Sequence, residues 1–503
     1  MPTGWARATI GGVVELNPRS FTSEPANDDL VSFVPMAAVE AESDRLDSSI
    51  SRHWKDVSKG YTRFQEADIL FAKITPCMEN GKVAVARGLI GGRGAGSTEF
   101  HVLRPTQAVC SQLLMYFVLQ LEVRRAARMK MKGAAGQLRV PPEFLRDYAF
   151  DVPPRPEQDR IVQKIEEQFT RLDAAVAALK RVRISLKRYR AAVLKAACEG
   201  RLVPTEAELA RNDGRSYETG EELLSRVLKE RRTKWEADQL AKMVSCGKAP
   251  QTDDWRNKYK EPDPPETDSL ASLPTGWKWA SIDQIAECLD GRRVPVNKNE
   301  RARRSGSVPY YGANARVGWI DDFLFDEPLV LVVEDETFVG RTLPFSYLIT
   351  GKSWVNNHAH VLRPTGAVTS EFLNYSLAFY PFTPLTTGST GRRKLTQKAL
   401  LQAQYPLPPI AEQVRIATEI ERVLSVADEI DSDLQKNMER AKRLRQSILK
   451  RAFEGKLVPQ DPRDEPAAAL LERIRTEQLA ESAQRCTHKP KQKQAKTVAM
   501  EVS

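Results

Sequence analysis

The sequence predicts an α+β protein: two head domains of mixed α/β structure separated by two long antiparallel coiled-coil helices, the halves forming a pseudo-two-fold tandem repeat. Three observations carry this expectation. First, short motifs recur in the same order: PTGW at positions 2–5 returns at 274–277, and HVLRPT at 101–106 returns at 360–365. Second, PP-x-x-EQ at 153–158 returns at 408–413 and EG-[RK]-LVP at 199–204 returns at 454–459, both displaced by 255 residues, with 21 identities in the 52 ungapped positions between them. Third, the apolar residues behind each proline motif step at helical spacing. A repeat this long governs the whole fold.

Taken in order, residues 1–152 form the first head, rich in short β-like runs such as 68–74 that are broken by glycine and proline. Residues 153–204 read as the first long helix. Its apolar stripe (Ile161, Ile165, Phe169, Leu172, Val176, Leu179, Val182, Leu186, Tyr189, Val193) takes nine steps over 32 residues, a single seam suited to helix pairing. At 1.5 Å per residue such a helix is about 65 to 70 Å long, too long for one small domain to bury, so its natural partner is the other copy. If the two pack antiparallel, the heads leave from opposite ends and a pseudo-dyad relates the halves.

Residues 205–272 form a connector with a helix over 221–243 and a Pro/acid-rich linker over 261–269. The second head spans 273–407, with runs such as 328–333. Residues 408–460 repeat the long helix, with Ile416, Ile420, Leu424, Ala427, Ile430, Leu434, Met438, Ala441, Leu444 and Ile448 on the seam. Residues 461–503 hold LLERI at 470–474, an echo of LLSRV at 223–227, and then a basic stretch at 489–496 expected to be disordered.

Composition agrees with several packed cores: 503 residues, 28% charged, 41% hydrophobic. No apolar run approaches the roughly 18 residues of a membrane span, and the N-terminus lacks a signal-peptide core, so a cytoplasmic protein is expected. Six cysteines lack any C-x-x-C pair and five histidines do not join them, which argues against structural zinc or a disulfide framework. The net charge of +10 has the sign of a protein that meets phosphate backbones.

Candidate nucleic-acid contacts follow from where cations and amides sit beside glycine loops. In the first head they are Lys73, Asn80 and Lys82 in and before ITPCMENGK, Arg93 in the glycine-rich stretch 88–96, and Arg128, Lys130 and Lys132. Gly133-x-x-Gly136-x-x-Arg139 repeats 255 residues later as Gly388-x-x-Gly391-x-x-Lys394, with Arg392 and Arg393 inside it. A tight glycine loop with a nearby cation can approach a backbone phosphate. The second head adds Arg292, Arg293, Arg316, and Asn356 with Asn357 in WVNNH, taken as the counterpart of ITPCMENGK. Any one such cluster also suits a solvated face; recurrence in both heads favours contact.

Catalytic signals are absent. Gly351-Lys352-Ser353 lacks the first glycine of a phosphate-binding loop, and Asp263-Pro-Pro-Glu266 ends in glutamate where a methyltransferase tetrapeptide needs an aromatic residue. His358 and His360 read as strand or loop histidines.

The alternation of variable head, proline turn with EQ, long helix and EG-[RK]-LVP exit, occurring twice, resembles the specificity subunit of type I restriction-modification systems. PPIAEQVRIATEIE at 408–421, PPRPEQDRIVQKIE at 153–166, GSTEFHVLRP at 96–105, NNHAHVLRP at 356–364 and GSTGRRKLTQKAL at 388–400 carry that likeness across essentially the whole chain. It implies two target-recognition domains reading an asymmetric bipartite duplex target, with the helices setting the spacing. It also implies two modification subunits that bring S-adenosylmethionine, and restriction (motor-nuclease) subunits that bring ATP and Mg, while this chain is non-catalytic and binds no cofactor or metal. Alternatives are a scaffold with paired binding heads, or a single-chain methyltransferase or nuclease.

Overall fold

The computed structural model describes residues 1–476 apart from 135, 248–249, 251, 269, 337, 340, 342 and 389–392. The chain divides into two compact units, Met1–Leu179 together with the chain from Gln435 onward, and Lys180–Leu434. Each unit therefore holds one head, the front half of that head's own long helix, and the back half of the other repeat's helix.

The long helices run over Arg155–Cys198 and Ile410–Phe453, 44 residues each. Pro156 falls in the first turn, where a missing N–H removes no helical bond. Each helix ends at a glycine in the left-handed region, Gly200 and Gly455, both at φ +66, a conformation that disfavours any residue with a Cβ. Ile161, Ile165, Ile416 and Ile420 are buried on the predicted seam, whereas Val182, Tyr189, Ile430 and Leu444, also expected there, are exposed.

Antiparallel packing is visible inside each unit separately. In the first, Arg160 reaches Asp464 at 2.6 Å and Arg445 pairs with Asp173. In the second, Arg183 lies 2.9 Å from Asp431 and Arg190 2.6 Å from Asp428. In both, one number rises as the other falls.

The heads share one topology. A ribbon of Ala6–Thr9 with Ala149–Val152 matches Lys278–Ser281 with Gln404–Leu407. A four-stranded antiparallel sheet in the order Val14–Leu16, Phe100–Pro105, Ile69–Ala72, Val83–Val85 matches Ala286–Cys288, Ala359–Pro364, Leu329–Val333, Ser346–Ile349. A second sheet, Ser51–His53, Leu30–Val34, Arg93–Gly96, Thr62–Gln65, matches Arg316–Ile320, Val308–Tyr311, Lys352–Val355, Phe325–Asp326. Each second sheet contains one parallel pairing, Ser32 with Gly94 and Tyr310 with Trp354.

The repeated motifs are the joints of this scaffold. The Trp5 indole donates to Glu157 at 3.1 Å and Trp277 to Glu412 at 2.9 Å; burial pushes both carboxyls upward against these bonds. Gln158 accepts from the Cys110 amide and donates to the Ala108 carbonyl, and Gln413 does the same with Thr369 and Ala367. A Cβ on Gly200 would lie 2.5 Å from the Pro274 side chain, and one on Gly455 2.3 Å from Pro2. The exit motif of one repeat thus docks on the opening motif of the other.

The connector helix spans Gly220–Ser245, entered through a Thr219/Glu222 capping box, and buries Leu223, Leu224 and Val227 in the second unit's core. The LLERI echo is real in three dimensions: residues 467–476 are helical, and Ile474 with Leu470 and Leu471 packs in the first unit's core. Ala467 donates to the Gly4 carbonyl at 2.9 Å as Gly220 donates to Gly276 at 2.7 Å. The basic stretch at 489–496 lies outside the described residues. No helix among the described residues is long and apolar enough to cross a membrane.

Candidate nucleic-acid interface

In both heads the glycine element closes as the same hairpin. Lys132 and Arg139 exchange backbone hydrogen bonds of 2.9 and 2.8 Å, as do Thr387 and Lys394. Gly133 at φ +132 and Gly388 at φ +117 hold corresponding corners, and a Cβ on Gly133 would meet the Gln137 carbonyl at 2.8 Å. Gly136 is at φ +83. Gly391 and Arg392 lie outside the described residues.

The closing cations of the hairpins are tied inward. Arg139 reaches Glu99 at 2.7 Å and Lys394 reaches Glu334 at 2.9 Å. These bonds hold Glu99 below the usual carboxylate range despite some burial. Burial raises Glu334, but its bonds to Lys394 and Arg293 outweigh that and leave it lowered. Lys73 is half-buried beside this pair; burial and the Arg139 charge pull its ammonium below the usual lysine range, against the pull of Glu99. Ile74 bridges Arg139 and Thr75 donates to Leu138, so Lys73 and the first hairpin form one group.

Of the cations leading into that hairpin, Lys130 and Lys132 are exposed and make no side-chain bond, whereas Arg128 lies 3.2 Å from Glu79. Arg124, four residues before Arg128, is buried instead, donating to the Glu79 and Leu119 carbonyls and paired with Glu42. It is a strut, not a surface cation. Asn80 is exposed; Lys82 is half-buried and donates to the Met36 carbonyl at 2.9 Å. Arg93 is half-buried on the other sheet, without a side-chain partner.

In the second head, Arg292 donates to the Leu324 carbonyl and covers the Phe325 ring. Arg293 is enclosed by Asp290 at 3.2 Å, Glu334 at 2.5 Å and the Ala359 carbonyl at 2.7 Å. Arg393 donates twice to Thr386. Arg316 is exposed and lies 4.3 Å over the half-exposed Trp319 ring, an aromatic partner that sequence reading missed. Asn356 caps the His358 amide at 2.9 Å and Asn357 is exposed.

One expected correspondence is wrong. WVNNH covers the end of the strand Lys352–Val355 and the turn after it; that strand is equivalent to Arg93–Gly96, so the counterpart of WVNNH is the stretch 95–99 and not ITPCMENGK. The latter follows Ile69–Ala72, equivalent to Leu329–Val333, and its counterpart begins at Asp335. From HVLRPT the two heads run back without a gap into Arg93–Gly96 and Lys352–Val355 at the constant offset of 259.

His360 is buried in its strand. Its Nε2 donates to the Leu395 carbonyl at 2.9 Å and its Nδ1 meets Asp290 at 2.5 Å. Cys288, Asp290 and His360 lie within 4.8 Å of one another. Both ring nitrogens are already engaged and Arg293 flanks Asp290, which makes the group an internal ionic cluster. Burial pushes Asp290 up, but the His360 bond and charge outweigh it and hold its carboxyl below the usual range.

Comparison with known proteins agrees with this architecture. The family model described as "Type I restriction modification DNA specificity domain" matches residues 2–183 and 274–440. The EcoAI specificity subunit of Escherichia coli is 26% identical over 86% of this chain and 79% of its own length. The EcoEI subunit of the same species is 26% identical over 86% and 80%. A solved structure described as "Structural basis underlying complex assembly and conformational transition of the type I R-M system" superposes with TM-score 0.62 at 18% identity, over 91% of this chain and 99% of that one. The HsdS subunit from Thermoanaerobacter tengcongensis gives 0.50 at 17%, over 91% and 98%. With two family matches joined to two heads of one topology, the chain belongs to the type I restriction modification DNA specificity domain family and carries that domain twice.

Proposed function

We propose that this chain is the DNA-specificity subunit of a type I restriction-modification complex, non-catalytic itself. Each head, 1–152 and 273–407, reads one half of an asymmetric bipartite duplex target. The long-helix segments, 153–204 and 408–460, set the distance between the halves. After each long helix the chain returns to the opening motif of the other repeat, where Gly220 of the connector bonds to Gly276 and Ala467 bonds to Gly4. Modification subunits, two of them if each head serves one, supply S-adenosylmethionine; restriction subunits supply ATP and Mg. The site of action is the cytoplasm, where the chromosome lies.

The observation that carries this reading is the recurrence of one glycine hairpin in two heads whose other surface residues differ. A shared loop able to approach phosphate serves a common backbone, while divergent surroundings serve different bases. Within the heads, Lys130, Lys132, Gly133, Gly136 and Arg316 are the foremost contacts in this reading, joined by Asn80, Arg93, Asn357, Gly388, Gly391 and Arg392. Lys82, Arg139, Arg293 and Lys394 act by holding loops in place, since their side chains are bonded internally, and Lys73 sits half-buried beside the Arg139–Glu99 pair.

Mapping methylated adenines across the genome of a strain with and without this gene tests the proposal. The expected result is loss of methylation at a single split, asymmetric motif. An unchanged methylome in a strain whose modification subunit is active would overturn it.

A further inference from the structure

Most identities shared by the two long helices have an internal role. The Trp-Glu joint, the glutamine bridges, the buried isoleucines, the Arg190–Asp428 and Arg445–Asp173 pairs and the terminal glycines account for them. Apart from Glu166 and Glu421, and from Lys195 and Lys450, which pair with Glu199 and Glu454, the identities left without such a role are cationic: Lys187 and Arg188 in one helix, Lys442 and Arg443 in the other, all exposed, with Lys442 also 3.3 Å from Glu439 of its own helix.

In the first helix these belong to a larger pattern. Between Asp173 and Glu199 there are seven lysines and arginines and no acid. Arg183 and Arg190 are spent on Asp431 and Asp428. Lys180, Arg181, Lys187 and Arg188 are exposed and make no side-chain bond among the described residues. At 100° per residue these four fall on one arc about 120° wide, turned away from the buried Val193 and Ala197. The exposed apolar residues Val182 and Tyr189 lie outside that arc.

From this we infer that the outer cationic face of the back half of each long helix, Lys180, Arg181, Lys187 and Arg188 in the first and Lys442 and Arg443 in the second, binds phosphates of the duplex. The inference rests on the DNA-reading function proposed above and adds a non-specific clamp to it. Charge complementarity selects the occupant. Protein interfaces are depleted in lysine and anchored by aromatic residues, methionine and arginine; this arc has arginines but no aromatic anchor, and offers only same-sign charge around a lone Ile184. A polyanion gains from such a face by releasing its condensed counterions.

The test uses the full-length chain and a random-sequence duplex of about 40 base pairs, with affinity measured by fluorescence anisotropy across a salt series. Replacing Lys180, Arg181, Lys187 and Arg188 together by alanine, a better helix former, is expected to reduce the slope of log K against log salt by about 0.9 per lost phosphate contact and to lower low-salt affinity more than tenfold. Lysine-arginine exchanges at the same positions should restore both. Unchanged helix content by circular dichroism excludes unfolding as the cause. An unchanged slope, with Lys130→Ala/Lys132→Ala still reducing it, overturns the clamp and leaves head recognition standing. Failure of the unaltered chain to bind duplex overturns both. Normal duplex binding with loss of co-purification of a modification subunit reassigns the face to an acidic protein surface and likewise overturns the clamp.

Discussion

The two heads share a topology but settle the same structural problem with opposite charges. Lys73 donates its amide to the Glu99 carbonyl and accepts from Val140; Glu334 does the same with His358 and Leu395. The positions are therefore equivalent, yet one is a lysine beside an Arg139–Glu99 pair and the other is a buried glutamate gripping Arg293 and Lys394. The adjacent histidine follows suit. His101 donates from Nε2 to Val140 and meets the neutral amide of Asn17 at 3.1 Å, whereas His360 faces the carboxylate of Asp290. Duplicated backbones kept the hydrogen-bond frame while the side chains within it diverged. The frame is what a fold needs; the charges are free to serve different targets.

The sharpest way to break the equivalence is steric. The strand Arg93–Gly96 carries Gly94, Ala95 and Gly96 where its counterpart Lys352–Val355 carries Ser353, Trp354 and Val355. A Cβ on Gly96 would lie 2.2 Å from the Val34 carbonyl. Gly96→Val is expected to destabilise the first head by about 3 kcal/mol or more, while Val355→Ala costs the second about 2 kcal/mol. Hydrogen exchange on the strands of each head separates the two effects, and equal losses would refute the assigned correspondence.

Next in size is the inverted charge. Glu334→Ala strands the enclosed Arg293 guanidinium and should cost about 3 kcal/mol, whereas Lys73→Ala should stay within about 1 kcal/mol. Chemical denaturation checks both; similar costs would mean that the two positions are not energetically opposed.

A smaller contrast concerns acid. Burial and the nearby Lys73 charge hold His101 below its ordinary pKa of 6.5, against the bond to Val140. The unfolded chain then binds the proton more readily, so stability is present above pH 6.5 and declines as pH falls below it. Asp290 is also lowered, so its contribution persists above 3.8 and is lost only as pH falls through its still lower folded value. The imidazole signal of His101 in a pH titration should therefore move below pH 6.5; a midpoint at or above that value refutes the assignment.

The smallest effect on the fold, though not on function, is expected from Lys130→Ala with Lys132→Ala. Stability should change by less than about 0.5 kcal/mol while the salt slope of duplex binding falls by about 0.9 per lost contact. Lys394→Ala in the second head should alter stability as well, because it releases Glu334.

Much of the architecture was legible because periodicity and repetition are properties of the chain itself. The two 44-residue helices, the connector helix, the LLERI echo and the recurring hairpin all follow from spacing that depends on local backbone geometry. Burial was not legible for polar groups. Arg124, Arg293, Arg139 and Lys394 look like surface cations in the sequence, and only the fold brings Glu42 to Arg124, Glu99 to Arg139, and Glu334 to both Arg293 and Lys394, from 40 to 82 positions away. Cations are placed by what desolvates and pairs them, and in this chain those partners are distant in sequence.

By itself the sequence determined that a unit was duplicated, that each copy has a mixed head and a long amphipathic helix, and that the seam faces another helix. The tertiary structure alone decided that each exit glycine closes on the other repeat's opening proline, and which cations remain exposed. The physical reason is that periodic burial is encoded locally, residue by residue, whereas the fate of a charge depends on long-range neighbours that only packing supplies.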